Sequence, residues 1–308
     1  MNVLNHTRSR TLLFRHFPSG VLQRCIGVHQ CRVPSQRQEA NSFHTSQVRF
    51  QTNKNEQQVK DGFSIMLQKL QKIDTASLCD ADKSIRSKST SEMYYEGLSV
   101  MNTSMKLMTK SSSSSPPKLV GVARTVQCTQ PNDFLAILQG LHDSQPGDVL
   151  MVNTMNSTRA VAGGLFVTEA HLRGLSGLIV DGPVRDLIDM NSALSKSGSV
   201  FPCYATSKTP YSGTVGAVGK TQVPIICGGV MVNPGDWVVG DEDGVIVGSP
   251  SSFAAVMDLV MQIQQSEEKV MNEMKLKGRS LFEMINYDEH LKKRQKGQDS
   301  VLVFKNLD

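Results

Sequence analysis

The sequence lacks the features that mark membrane-spanning and disulfide-rich proteins. It contains no run of 18 or more apolar residues, so no membrane span is expected. Its six cysteines are scattered without paired spacing, which indicates neither a disulfide framework nor a zinc site. Those beyond the N-terminal region are therefore interpreted as small core or surface residues: Cys79, Cys128, Cys203 and Cys227.

Acidic residues are almost absent from the first 50 positions, where Glu39 stands against seven arginines. That segment carries a net charge of +6 and the whole chain +5, so the remaining residues carry about −1. The basic character belongs to this leader, and no nucleic-acid partner is predicted. Its Arg- and Ser-rich composition predicts a disordered mitochondrial transit peptide over residues 1–50, cleaved near Arg49–Gln51, and a location in the matrix. A plastid transit peptide or a basic tail is the alternative.

The rest of the chain has the pattern of an α/β domain over residues 56–250, followed by a helical extension over residues 251–308. Two short N-terminal helices come first, the second capped by Thr75 or Ser77. Strand and helix patterns then alternate through "LVGVARTVQC", "DFLAILQGLHDS" and "PGDVLMV". The second half is rich in short strands and tight turns, and a long helix starts with Ser251 or Ser252 as its N-cap.

Two motifs suggest ligand sites but fit other structures better. "GTVGAVGKT" (Gly213–Thr221) has the wrong spacing for a phosphate loop and runs into "VPIICGGV" rather than a helix, so a Gly-rich hairpin is predicted. "DEDG" (Asp241–Gly244) is too short for a calcium loop and leads directly into a strand, so a turn is predicted.

The candidate chemistry lies in "GGLFVTEAHLRGLSGLIVDGPVRD", which predicts a helix, the strand "GLIV" and then Arg185–Asp186 beyond the strand end. The Arg185 guanidinium suits a carboxylate, and the Asp186 carboxylate suits Mg²⁺ or Mn²⁺. Backbone amides at Gly163 and Gly164 can receive an anionic oxygen at the helix start. Together these groups suit a 2-oxo acid, whereas a structural Arg–Asp ion pair fits the pattern equally well.

The chain resembles the family of the regulator of ribonuclease activity A and the class II 4-hydroxy-4-methyl-2-oxoglutarate aldolases, the RraA-like family. The resemblance covers about Thr75 to Pro250 and rests on "LCDA", "GVARTV", "PGDVLMVN", "AGGLFVTEAHLRGLSGLIVDGPVRD" and "GGVMVNPGDWVVGDEDGVIV". Gly164, twenty residues, Arg185–Asp186, two residues and Asp189 reproduce a spacing found in much of the family.

The resemblance implies a layered β/β/α domain of the swivelling type, assembled as a homotrimer or a hexamer with the site between subunits. It implies cleavage of 4-hydroxy-2-oxo dicarboxylic acids to pyruvate, and decarboxylation of oxaloacetate, through a metal-stabilised enolate. Arg185 would bind the substrate carboxylate and Asp186 the divalent metal. The substrate would also contact a backbone segment made of Gly163, Gly164, Leu165 and Phe166.

The chain departs from the family pattern at two places. Members with clear aldolase activity often carry an acid at the position of Gly164, and Glu169 on the same helix is a poor substitute. The usual "DGGGS" loop is replaced by "NTMNSTRA" (Asn153–Ala160). Loss of a proton-handling acid costs about 10²–10⁴-fold in rate, so decarboxylation is less affected than aldol cleavage. Two hypotheses follow: a metal-dependent lyase, or a non-catalytic protein-binding module like the ribonuclease regulators.

Overall fold

The computed structural model describes residues 64–88, 95–110, 117–192 and 200–305. The predicted transit peptide lies outside these residues. Among them, no helix is long and apolar enough to cross a membrane.

The elements alternate along the chain as the sequence pattern predicts. The helices are α1 (64–70), α2 (Thr75–Lys88), α3 (Leu135–Asp143), α4 (Gly164–Leu172), α5 (Leu187–Ser192), α6 (Pro250–Lys277) and α7 (Tyr287–Gln295). The strands are β1 (Ser99–Val100), β2 (Lys106–Leu107), β3 (Leu119–Gln127), β4 (Asp148–Asn153), β5 (Gly177–Val184), β6 (Cys203–Lys208), β7 (Lys220–Thr221), β8 (Ile225–Cys227), β9 (Val230–Val232), β10 (Trp237–Gly240) and β11 (Val245–Gly248).

The main sheet is built around four parallel strands. Its order is β1-β11-β10-β3-β4-β5-β6-β2, and β7 pairs with β3 off this path. Strands β3 to β6 are parallel, and α3, α4 and α5 connect them in turn. Their carboxyl ends therefore meet at one edge of the sheet, which is where ligands of open α/β sheets bind.

Side chains of the parallel strands alternate between two cores, because successive strand residues point to opposite faces. Val152 and Val180 face the core beneath α3 and α4. Met151 and Ile179 face the core beneath the β8–β9 hairpin, which contributes Ile225. A small sheet, the main sheet and a helical layer thus stack on one another, and the predicted layered β/β/α fold is confirmed.

A third core joins the N-terminal helices and the long C-terminal helix to the outer strands. Leu70, Leu78, Trp237 and Phe253 are buried there together. The predicted N-terminal helices are present, but Asp74 caps α2, accepting a hydrogen bond from the Ser77 backbone N–H at 2.6 Å.

The long C-terminal helix begins at least two residues earlier than predicted. Ser249, and not Ser251 or Ser252, is the N-cap of α6; its hydroxyl accepts from the Ser252 N–H, and Pro250 occupies the first turn. The helix ends at Gly278, whose φ of +66° gives the left-handed conformation that favours glycine.

The Gly-rich segment 213–219 is not the predicted hairpin. It is an irregular crossing that leads from β6 to β7, and β7 pairs with β3 rather than with β6. Asp133 holds this crossing by accepting hydrogen bonds from the Thr214 hydroxyl at 2.9 Å and the Gly216 N–H at 2.6 Å.

Candidate active site

The end of β5 delivers Arg185 and Asp186 to the carboxyl edge of the parallel strands. The Arg185 N–H donates to the Ala162 carbonyl at 3.1 Å, and the Asp186 carbonyl accepts from the Met190 N–H at 2.9 Å. Asp186 has a φ of +60°, a left-handed conformation that costs a non-glycine residue about 1–3 kcal/mol. This turn ends the strand and starts α5 at once, so both side chains remain at the sheet edge.

The Arg185 and Asp186 side chains face each other but remain accessible. Arg185 Nε lies 3.3 Å from Asp186 Oδ2, and the two side chains are 40% and 39% exposed. An ion pair this exposed contributes about 0–1 kcal/mol to stability, because water screens it. The pair therefore adds little to the fold and is open to a ligand.

The start of α4 fits closely against this pair because Gly163 and Gly164 have no side chains. A Cβ on Gly163 would lie 2.8 Å from Asp186 Oδ2 and 3.0 Å from Arg185 Cγ. No side chain caps the first turn of α4. The backbone N–H groups of this turn can therefore donate hydrogen bonds to an anionic oxygen.

A cavity of about 50 Å³ joins these groups and opens to solvent. Of the predicted substrate-binding residues, Gly163, Leu165, Phe166 and Arg185 line it, as does Asp186. Gly164 does not line the cavity and is buried. The remaining wall residues are Phe134, Ala160, Val161, Ala162 and Ser212.

Phe134 and Ser212 are wall residues that sequence reasoning missed. The Phe134 N–H donates to the Thr214 carbonyl at 2.9 Å, which joins the β3–α3 connection to the Gly-rich crossing. Burial alone would raise the pKa of Asp133, but the N–H groups of Gly216 and Leu135 and the Thr214 hydroxyl hold it below its ordinary value. Asp133 is therefore ionised, and its carboxylate holds this part of the cavity wall in place.

Two carboxylates flank Gly164. A Cβ at residue 164 would lie 2.8 Å from the Asp189 Cβ and 3.5 Å from the Asp186 Cβ. The two aspartate Cβ atoms are therefore at most about 6.3 Å apart, the sum of those distances. An acid is thus present beside residue 164, carried by α5 instead of α4. Glu169 is turned elsewhere, since it pairs with Arg173 at 2.7 Å on the exposed face of α4.

The donors at this site suit a magnesium-like cation. Within the described residues there is no group of three or more His, Cys, Asp or Glu side chains that could enclose a metal. Magnesium needs no such group, since one or two carboxylates and several waters suffice. Asp186, with Asp189 near it, meets that requirement, whereas a structural zinc site would need four ligands.

The loop Asn153–Ala160 is held by Asn132. The Asn132 Oδ1 accepts from the Ser157 hydroxyl at 3.0 Å, the Thr158 N–H at 2.9 Å and the Arg159 N–H at 3.0 Å. These side-chain hydrogen bonds fix the loop that ends at the cavity residue Ala160.

Fold and site together define an α/β domain with an arginine, a metal-compatible carboxylate and a helix start at one sheet edge. Residues 75–247 match the sequence model of the RraA-like family, described as Aldolase/RraA. The chain belongs to this family.

Similar proteins support that assignment, although their names refer to different functions. A protein of Halalkalibacterium halodurans, provisionally named as a 4-hydroxy-4-methyl-2-oxoglutarate aldolase, is 40% identical over 131 residues. That match covers 42% of this chain and 59% of the relative, so the chain spans well under two thirds of it.

Two solved structures share the fold. RraAS2 of Streptomyces coelicolor, described as an unusual member of the RNase ES inhibitor RraA family, is 25% identical with a TM-score of 0.51, covering 66% of this chain and 93% of its own. An uncharacterized protein of Pseudomonas syringae is 22% identical with a TM-score of 0.56, covering 71% of this chain and 95% of its own.

Proposed function

We propose that this protein is a divalent-metal-dependent lyase that forms pyruvate from 2-oxo dicarboxylic acids. The substrates would be oxaloacetate, by decarboxylation, and 4-hydroxy-2-oxo acids of the 4-hydroxy-4-methyl-2-oxoglutarate type, by aldol cleavage. One observation carries the proposal: Arg185 and Asp186 meet Gly163, at the start of α4, in a single cavity.

Each group has a separate task in this proposal. Arg185 binds the carboxylate next to the 2-oxo group through two parallel hydrogen bonds. The backbone N–H groups between Gly163 and Phe166, at the start of α4, donate hydrogen bonds to the same end of the substrate. Asp186 holds Mg²⁺ or Mn²⁺, which when bound withdraws electrons from the 2-oxo group as the C–C bond breaks.

Asp189 is proposed to handle the proton in aldol cleavage. That reaction begins by removing a proton from the 4-hydroxyl, whereas decarboxylation of oxaloacetate releases carbon dioxide without that step. The position of Asp189 beside Gly164 supports this role. The family resemblance implies an acid at residue 164 in members with clear aldolase activity. A positioned acid or base of this kind contributes about 10²–10⁴-fold to the rate.

A second candidate function is the binding of another protein without catalysis, as in the ribonuclease regulators. It is favoured by exposed apolar side chains around the cavity: Leu165 is 83% exposed and Ile188 is 84% exposed. In the lyase proposal, these same side chains would contact another copy in the homotrimer or hexamer that the family resemblance implies.

Thermal unfolding separates the two functions. A lyase should be stabilised by Mn²⁺ and pyruvate added together, because ligands that bind only the folded state raise its melting temperature. Arg185→Ala should remove the pyruvate-dependent part of the shift. A protein-binding module has no reason to respond to either ligand, and an unchanged melting temperature would favour it.

We also propose that residues 1–50 direct the protein to the mitochondrial matrix and are removed there. The Arg-rich, acid-poor composition of this segment supports the proposal. N-terminal sequencing of protein recovered from mitochondria should find a start near Arg49–Gln51, and an intact Met1 would contradict it.

A further inference from the structure

Arg159 lies over the ring of Tyr211, next to residues of the candidate site. Its guanidinium carbon lies 4.4 Å from the centre of the Tyr211 ring. Among the residues that the structure describes, no carboxylate pairs with it and no hydrogen bond uses its side-chain donors. A guanidinium that lies over a ring can still donate hydrogen bonds from its N–H groups, and these form the paired donors that carboxylates prefer.

The backbone places Arg159 next to the cavity wall. The neighbouring residues Ala160 and Ser212 both line the cavity and form a parallel bridge with each other. Arg159 and Tyr211 directly precede these two residues in the chain, so the contact between them lies at the edge of the cavity.

Arg185 lines the same cavity as Ala160 and Ser212. Ala162 and Val184 form a second parallel bridge, and Gly163 and Arg185 are the next residues along the two segments. A Cβ on Gly163 would lie 3.0 Å from Arg185 Cγ, so this segment approaches Arg185 closely. Arg159 precedes Gly163 by four residues, so the two Cα atoms are at most about 14 Å apart.

Two arginines beside one cavity at this spacing can hold the two ends of a short dicarboxylate. Each arginine side chain extends several ångströms from its backbone, so the two guanidinium groups can approach a molecule between them from both sides. Arg185 lies against Asp186, whereas Arg159 lies against Tyr211. The two cations thus occupy separate positions.

We infer that Arg159, supported by Tyr211, binds the distal carboxylate of the substrate and makes the site selective for dicarboxylic over monocarboxylic 2-oxo acids. This inference rests on the proposed function, in which Arg185 binds the carboxylate next to the 2-oxo group. It assigns a specificity residue to the loop that replaces the family's Gly-rich segment.

The test compares two ligands that differ only at the distal end: 2-oxoglutarate and 2-oxopentanoate, in which a methyl group replaces the distal carboxylate. Calorimetric titration with Mg²⁺ present gives the Kd of each for the full chain and for Arg159→Gln. The wild type should bind 2-oxoglutarate about tenfold more tightly or better, as a charged hydrogen-bonded contact allows. Arg159→Gln should lose this preference and keep its affinity for 2-oxopentanoate.

Two further variants control for net charge and for geometry. Arg173→Gln removes the same charge from an arginine that pairs with Glu169, and it should leave the preference unchanged. Arg159→Lys keeps the charge without the planar guanidinium group. It should therefore show only part of the wild-type preference for 2-oxoglutarate.

The outcomes distinguish this inference from the proposed function. If 2-oxopentanoate binds and Arg159→Gln keeps the wild-type preference for 2-oxoglutarate, or if the wild type has no preference, the role of Arg159 is wrong while the 2-oxo acid site stands. If neither ligand binds the wild type, both proposals fail.

Discussion

The Asp189 side chain fills the space that a side chain at residue 164 would need. A Cβ on Gly164 would come within 2.8 Å of the Asp189 Cβ, a distance at which one of the two must move. Gly164 therefore leaves room for Asp189, and Asp189 brings an acid next to residue 164.

Asp189→Asn should separate the two proposed reactions. Aldol cleavage of 4-hydroxy-4-methyl-2-oxoglutarate should fall by about 10²–10⁴-fold, because the 4-hydroxyl proton loses its acceptor. Oxaloacetate decarboxylation should change much less. Initial rates of pyruvate formation from each substrate provide the measurement, with Glu169→Gln as the matched control. An equal loss of both reactions would show instead that Asp189 serves the metal.

Asp186→Ala should abolish metal-dependent turnover of both substrates. Loss of a residue that merely supports a metal ligand already costs about 10–100-fold, so loss of the ligand itself should cost at least about 100-fold. Rates measured over a series of Mg²⁺ concentrations check this, and Asp258→Ala on the exposed surface of α6 is the control. Near-normal decarboxylation in Asp186→Ala would overturn the proposed metal site.

Arg185→Ala should chiefly weaken substrate binding. A hydrogen bond to a charged group contributes about 1.5–3 kcal/mol, so KM should rise about tenfold to hundredfold, with a smaller effect on kcat. Arg185→Lys should recover only part of this loss, since an ammonium cannot form the two parallel hydrogen bonds. A lowered kcat at unchanged KM would contradict the assigned role.

Asp133→Asn should destabilise the protein in a pH-dependent way. Hydrogen bonds to the carboxylate hold the pKa of Asp133 below its ordinary value, so the stabilisation is present above about pH 4 and is lost as the pH falls through the lowered pKa. The variant should therefore lose about 1–3 kcal/mol of unfolding free energy near pH 7.

Urea unfolding of Asp133→Asn, the wild type and the exposed-site variant Asp258→Asn at a series of pH values measures this difference. The gap between Asp133→Asn and the wild type should narrow in acid. A gap that stays constant down to pH 3 would show that ionised Asp133 is not its source.

The sequence allowed the parallel strands and the Arg–Asp pair to be predicted because their signals are local. The "GLIV" run marks the buried β5, and the pair follows within one short segment. The β5 strand itself is longer, continuing to Val184. The N-cap of α6 was placed too late, although Pro250 at the first turn points to Ser249, because proline favours the position just after the cap.

The missed wall residues depend on contacts that local patterns do not encode. Ser212 reaches the cavity through its bridge to Ala160, and Phe134 through its hydrogen bond to Thr214, 80 residues away. The Gly-rich segment was predicted to be a hairpin because its composition suits one. The hydrogen bonds from Asp133 decide its course instead, and they are visible only in the folded chain.

The most direct test of the account is pyruvate release from oxaloacetate and from 4-hydroxy-4-methyl-2-oxoglutarate by the purified protein, with Mg²⁺ or with EDTA. The metal-catalysed background without protein is subtracted, and Asp186→Ala is run in parallel. The account predicts release that depends on Mg²⁺ and on Asp186, with the preferred substrate defining the enzyme. A folded, oligomeric protein that releases no pyruvate from either substrate would contradict it.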